Sequence, residues 1–139
     1  MEVERSTPPK KGFLEAIREI CNQEKIILIF DECTSGFRET YGGIHLKYKI
    51  HPDIAIFGKA LGNGYAINAI VGKREIMESC QSTFISSTFW TERVGSVAAL
   101  ETLKIMKKTH SWKKLTEIGK KIKKNWLELA KTNSLNINI

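Results

Sequence analysis

The feature that most constrains this chain is the segment at residues 26–30, Ile-Ile-Leu-Ile-Phe, followed at once by Asp31 and Glu32. A short unbroken apolar run rich in β-branched residues is the pattern of a strand covered on both faces, as in the parallel sheet of an α/β protein. Parallel neighbours are joined by crossovers, so helices must flank such a strand. Residues 12–23 supply one. Phe13, Leu14, Ile17, Ile20 and Cys21 recur there at helical spacing, over about three turns. If residues 1–4 end an earlier strand, the unit is β-α-β. A second apolar run at residues 53–57 stops abruptly at Gly58-Lys59, and residues 66–71 form a third candidate strand, interrupted by Asn68.

Beyond Thr91 the period becomes helical. Thr91 reads as an N-cap and Glu92 suits the first turn, while Val94, Val97, Ala98, Leu100, Leu103, Ile105 and Met106 provide an apolar side. A further helix is expected to start at Ser111 or Trp112. Its stripe of Trp112, Leu115, Ile118, Gly119, Ile122, Trp126 and Leu129 lies opposite Lys113, Lys114, Lys120, Lys121 and Lys124.

The formal charge of +7 is unevenly placed, because the first 100 residues balance 12 basic groups with 12 acidic ones. The excess belongs to the last 39 residues, with 10 basic and 3 acidic groups. No aromatic is interleaved with the lysines on their side of the helix, and Glu117 stands four residues before Lys121 as a pairing partner. A solvated lysine face is therefore expected, with no nucleic-acid partner. No run of about 18 apolar residues occurs, and the N-terminus lacks the basic-then-apolar pattern of a secretory signal, so no membrane association and a cytoplasmic location are expected. Cys21, Cys33 and Cys80 form no CxxC pair, and His45, His51 and His110 have no metal-ligand spacing.

Two motifs invite chemistry. An apolar strand ending in Asp-Glu resembles the Mg²⁺-binding segment of nucleotide hydrolases, yet no GxxxxGK[ST] phosphate loop accompanies it. The plainer alternative makes Asp31 and Glu32 turn or cap residues. Lys59, set among the glycines of GKALGNG, suits a reactive amine that a ligand can approach closely. Asp31 and Lys59 each follow a strand candidate, so both should emerge at one ligand-facing rim of a parallel sheet. An acid and an amine converging there point to an aldehyde cofactor whose ring nitrogen needs a carboxylate, the description of pyridoxal phosphate.

Three segments in order, GFLEAIREICNQEKIILIFDECTSGFR, HPDIAIFGKALGNGYAINAIVGKREIM and SSTFWTERVGSVAALETL, resemble the class III pyridoxal-phosphate aminotransferases, the group that includes glutamate-1-semialdehyde aminomutase. The resemblance implies an α/β fold of fold type I, with a mostly parallel sheet, flanking helices and then C-terminal helices, normally built as a homodimer. It implies that residues 1–108 are the later part of the cofactor-binding large domain and 109–139 a helical link toward an incomplete small domain. By the same resemblance Lys59 is the Schiff-base lysine and Asp31 the partner of the ring nitrogen. Cys33 stands where the family commonly has a valine packed on the ring. Thr88, with Ser87 beside it, matches the threonine that reaches the cofactor phosphate of the neighbouring subunit, where a plain capping stretch is the alternative.

The expected activity is transfer of an amino group between a small-molecule donor and a keto or aldehyde acceptor. An aminomutase-type amino shift and a non-catalytic remnant or interaction module are the alternatives. Asn63 and Ala66 interrupt the glycine-then-proline pattern common after the lysine, and residues 89–92 replace a Gly-Asn-Pro type of segment. Both departures favour the transaminase over the aminomutase. Family segments upstream of Met1 are absent, so the chain is expected to be a fragment, a split subunit or a truncated paralogue that a missing N-terminal half would complement.

Overall fold

A computed structural model describes residues 8–86, Thr88 and residues 91–139, so the strand expected at residues 1–4 lies outside the described residues. Helix α1 (Phe13–Gln23) leads into strand β1 (Ile29–Asp31), the short helix α2 (His45–Tyr48) and strand β2 (Ile54–Phe57). A single 3-10 turn at Lys59–Leu61 follows, then strand β3 (Ala69–Gly72), the short helix α3 (Arg74–Met77), a second 3-10 segment (Glu78–Ser82) and the long helices α4 (Val94–Thr109) and α5 (Ser111–Thr132).

Strands β1 and β2 pair in parallel, with Phe30 opposite Ala55 and Asp31 opposite Ile56. β3 pairs with β2 the other way, Ile56 facing Ile70 and Phe57 facing Ala69. The third strand thus departs from the mostly parallel expectation. The cause is the connection: residues 58–68 contain one 3-10 turn and no crossover helix, and the chain returns antiparallel without one.

One face of the sheet carries the core. Leu28 and Phe30 pack with Leu14 and Cys21 of α1, and Ala55, Phe57 and Leu61 pack with Ala99 of α4. The other face is open among the described residues, since Ile27 and Ile29 are exposed and Ile54 and Ile56 only half-buried. The expectation that both faces of the first strand are covered is corrected accordingly. The chain exposes 10781 Å², against about 7300 Å² for a compact monomer of this mass.

β1 also begins later than its apolar run, because an acid takes over the ladder there. The Leu28 amide donates to Asp53 Oδ2 at 2.8 Å, and the same carboxylate holds Arg18 of α1 at 2.9 Å and Lys73 beyond β3 at 2.7 Å. Burial alone would raise the Asp53 pKa; the hydrogen bonds from Lys73, the Leu28 amide and Arg18 outweigh it and lower the pKa to about 2. An ordinary aspartate titrates near 3.9, so the charged form is favoured on folding. The resulting stabilisation, on the order of 2 kcal/mol, is complete above about pH 4 and disappears as pH falls toward about 2. Urea melts between pH 5 and pH 2.5 should show this loss, and Asp53→Asn should flatten that part of the profile; an unchanged slope would refute the assignment.

Helix α4 starts at Val94 behind Arg93, with no side-chain cap, so Thr91 does not fill the N-cap expected of it. The buried stripe of α4 is Gly95, Ala99 and Met106, while Val97 and Leu100, expected inside, are exposed. His110, at φ 51°, turns the chain between the two helices. α5 forms where its periodicity predicts, yet Leu115, Ile118, Ile122, Trp126 and Leu129 remain exposed and Ala130 is its buried residue. Its ion pair is Lys124 with Glu128 at 3.7 Å rather than the expected Glu117 with Lys121.

Candidate active site

Parallel pairing of β1 and β2 brings Asp31 and Lys59 to the same end of the sheet, Asp31 as the last residue of its strand and Lys59 two residues beyond Phe57. Neighbouring strands lie about 4.8 Å apart, so an acid and an amine leave the sheet at one rim, Asp31 level with Ile56 and Lys59 three residues further along. The strand alternation then separates the two adjacent acids. Leu28, Phe30 and Glu32 are all buried on the core side, and Asp31 faces the open side.

Their partners differ in consequence. Glu32 is fully buried, and its carboxylate accepts from the Ile44 and His45 amides and pairs with His45 Nδ1 at 2.5 Å, tying the start of α2 to the strand end. That is the cap role weighed for it. Asp31 Oδ1 accepts the Cys33 amide at 3.0 Å, which folds the turn back, and Oδ2 accepts no hydrogen bond among the described residues. Asp31 can therefore brace its own turn and still present an oxygen to a ligand.

Lys59 sits at φ 39°, in the left-handed region that side-chain-bearing residues rarely adopt. Backbone held there costs roughly 1–3 kcal/mol and persists only where its surroundings enforce it, which is common at functional sites. The Lys59 amine donates to Thr34 Oγ1 at 2.6 Å. Gly58 is required by close approach: a Cβ on it would lie 2.5 Å from Asn68 Oδ1 and 2.7 Å from Cys33 Sγ. Cys33 and Asn68 also touch each other, with Sγ 3.9 Å from Oδ1. Residues from the connection after β1 and from both ends of the connection between β2 and β3 thus meet beside Lys59.

Thr88 lies exposed in a turn ahead of α4, and Ser87 is outside the described residues. An open cleft of about 1110 Å³ runs from Lys59 along Tyr65 to Ile105 of α4 and Leu115 of α5. Asp31 and Cys33 do not line it, so the cleft adjoins the rim rather than containing it. Sequence reasoning missed Thr34 and Asn68. The one available signal was that Asn68 interrupts an apolar run.

A carboxylate and an amine at the carboxyl ends of adjacent parallel strands define the ligand-facing end of an α/β domain. Residues 6–138 match the family model for aminotransferase class-III, and the chain belongs to that family. It is 48% identical over 101 residues to a 3-aminobutyryl-CoA aminotransferase of Cloacimonas acidaminovorans, covering 72% of this chain and 24% of that protein. Over 115 residues it is 41% identical to a glutamate-1-semialdehyde 2,1-aminomutase of Citrifermentans bemidjiense, with 81% and 27% covered. Among solved structures it resembles the pyridoxal-phosphate internal aldimine form of the Sphingopyxis sp. FumI protein, with TM-score 0.74 and 27% identity over 78% of this chain and 28% of that one. The fold is that of the fold-type I aminotransferases. The chain spans about a quarter of the length of these curated relatives.

Proposed function

We propose that this chain carries the lysine-and-aspartate part of a pyridoxal-phosphate-dependent aminotransferase, moving an amino group from a small-molecule donor to a keto or aldehyde acceptor. The observation that carries the reading is the placement of Asp31 and Lys59 on adjacent parallel strand ends. The residues present suit the cofactor: an amine beside a glycine that admits no Cβ, and a carboxylate oxygen left open toward the uncovered sheet face. When bound, pyridoxal phosphate supplies an aldehyde that condenses with amines and a ring that accepts the electron pair left when a Cα proton departs.

The chain's own residues do the rest. Asp31 keeps a ring nitrogen protonated by placing a negative charge against it. Lys59 would hold the aldehyde through its amine, and the same amine, when free, would serve as the general base that carries the Cα proton. Cys33, next to Gly58, offers a small apolar contact to one ring face. Thr88, with Ser87, serves the phosphate across a homodimer. Residues 1–108 act as the later part of the cofactor domain and 109–139 as the helical link beyond it. In this reading the protein works in the cytoplasm.

A second reading, an amino shift within one substrate, is favoured by the 41% identity to a glutamate-1-semialdehyde 2,1-aminomutase. Both readings use the same two residues. The test is to incubate the chain with pyridoxal phosphate, reduce with borohydride and map the label by mass spectrometry. Label concentrated on Lys59 supports the reading; label spread evenly over the surface lysines rejects it.

A further inference from the structure

Thr34 lies in the turn after β1 and belongs to none of the roles above, yet its hydroxyl is the group that the Lys59 amine touches, at 2.6 Å. Two further contacts hold the backbone that carries that hydroxyl. Arg38 Nε donates to the Thr34 carbonyl at 2.7 Å, and the Gly36 amide donates to the Glu32 carbonyl at 2.8 Å, closing the turn on both sides of Thr34. The preceding residue is anchored as well, through the Cys33 amide on Asp31 Oδ1. Gly36 has no room for a side chain, since a Cβ would meet the Phe57 ring at 2.7 Å, so the turn is pressed against the end of β2 from which Lys59 emerges.

A lysine carries four rotatable side-chain bonds and loses much freedom when its amine is held in one place. A lysine without a partner for its amine has no such restraint, and that amine spends little time at any one point of approach. The short contact to a hydroxyl whose backbone is clamped twice removes much of that freedom before a ligand arrives. We propose that Thr34 is a positioning residue that holds the Lys59 amine at the rim, on the Asp31 side, ready for an aldehyde. This rests on the cofactor reading above and adds to it the group that pre-orients the nucleophile. Thr34 does not touch the reacting carbonyl in this account; it acts through Lys59.

The expected cost of losing the hydroxyl follows from what one hydrogen bond is worth. About 1.5 kcal/mol corresponds to roughly a tenfold change. The experiment is site-resolved trapping: the full chain is mixed with limiting pyridoxal phosphate, reduced briefly with borohydride, and the label at Lys59 is divided by that at the exposed Lys49. Thr34→Val should lower this ratio about tenfold with the Lys49 label unchanged, and Thr34→Ser, which keeps the hydroxyl, should restore most of it. Equal ratios in wild type and Thr34→Val, with wild type favouring Lys59, overturn this inference and leave the proposed function standing. A wild-type ratio near one overturns both. If Thr34→Val loses the wild-type circular dichroism, Thr34→Ala makes the same comparison, and a Ser variant as poor as Ala also overturns the role.

Discussion

Replacing Lys59 by alanine is expected to abolish trapping of pyridoxal phosphate at the rim and, with it, all amino transfer. The effect is this large because, among the described residues, Lys59 is the amine that follows β2 at this rim, directly after Gly58, which admits neighbouring atoms where any other residue would put a Cβ. The loss should be chemical rather than structural. Alanine at φ 39° is strained about as much as lysine, and the side chain removed is exposed, so circular dichroism and the urea midpoint should stay within the small range usual for surface substitutions. Mass spectrometry of the reduced, labelled protein checks the first part. A Lys59→Ala chain still labelled to wild-type extent in this region, or one that still transaminates, would refute the assignment.

Asp31→Asn is expected to cut turnover by up to about a thousandfold while leaving cofactor trapping at Lys59 in place. A carboxylate about 4 Å from a ring cation contributes roughly 4 kcal/mol at an effective dielectric near 20, and at 1.36 kcal/mol per factor of ten that is about three orders of magnitude. The substitution separates the two jobs of this side chain. Asparagine keeps a carbonyl oxygen to accept the Cys33 amide, so the turn survives, but it removes the charge. The half-reaction with an amino donor, followed by the change in cofactor absorbance, measures the rate, and the trapping assay measures capture. A variant that lost both equally would place Asp31 in the turn alone.

The rim was legible in the sequence because its chemistry sits at the ends of apolar runs. An acid after Phe30 and an amine after Phe57-Gly58 emerge together once two strands pair in parallel, and nothing further is needed. The separation of Asp31 from Glu32 was also readable in principle. Strand side chains alternate, so only one of the two could share the buried side with Phe30, and the helix at residues 13–23 decides which. What escaped depends on closure in three dimensions. The direction of β3 is set by a connection with no crossover helix, and the partnership of Thr34 with Lys59 spans 25 positions. The stripe of α5 was placed correctly along the helix, but periodicity marks an apolar side and not the surface that meets it. Thr91 failed as a cap for a local reason, since the helix begins three residues later behind Arg93.

The face of the sheet that is open among the described residues has a thermodynamic consequence. Both the steepness of a denaturant transition and the heat-capacity change of unfolding grow with the surface newly wetted. An extended chain of this mass offers about 22900 Å², and this one still exposes 10781 Å² when folded. It therefore wets less on unfolding than a closed domain of equal length. Its melting should be broad and its stability curve shallow, and a polypeptide laid over Ile27 and Ile29 would sharpen the first and deepen the second.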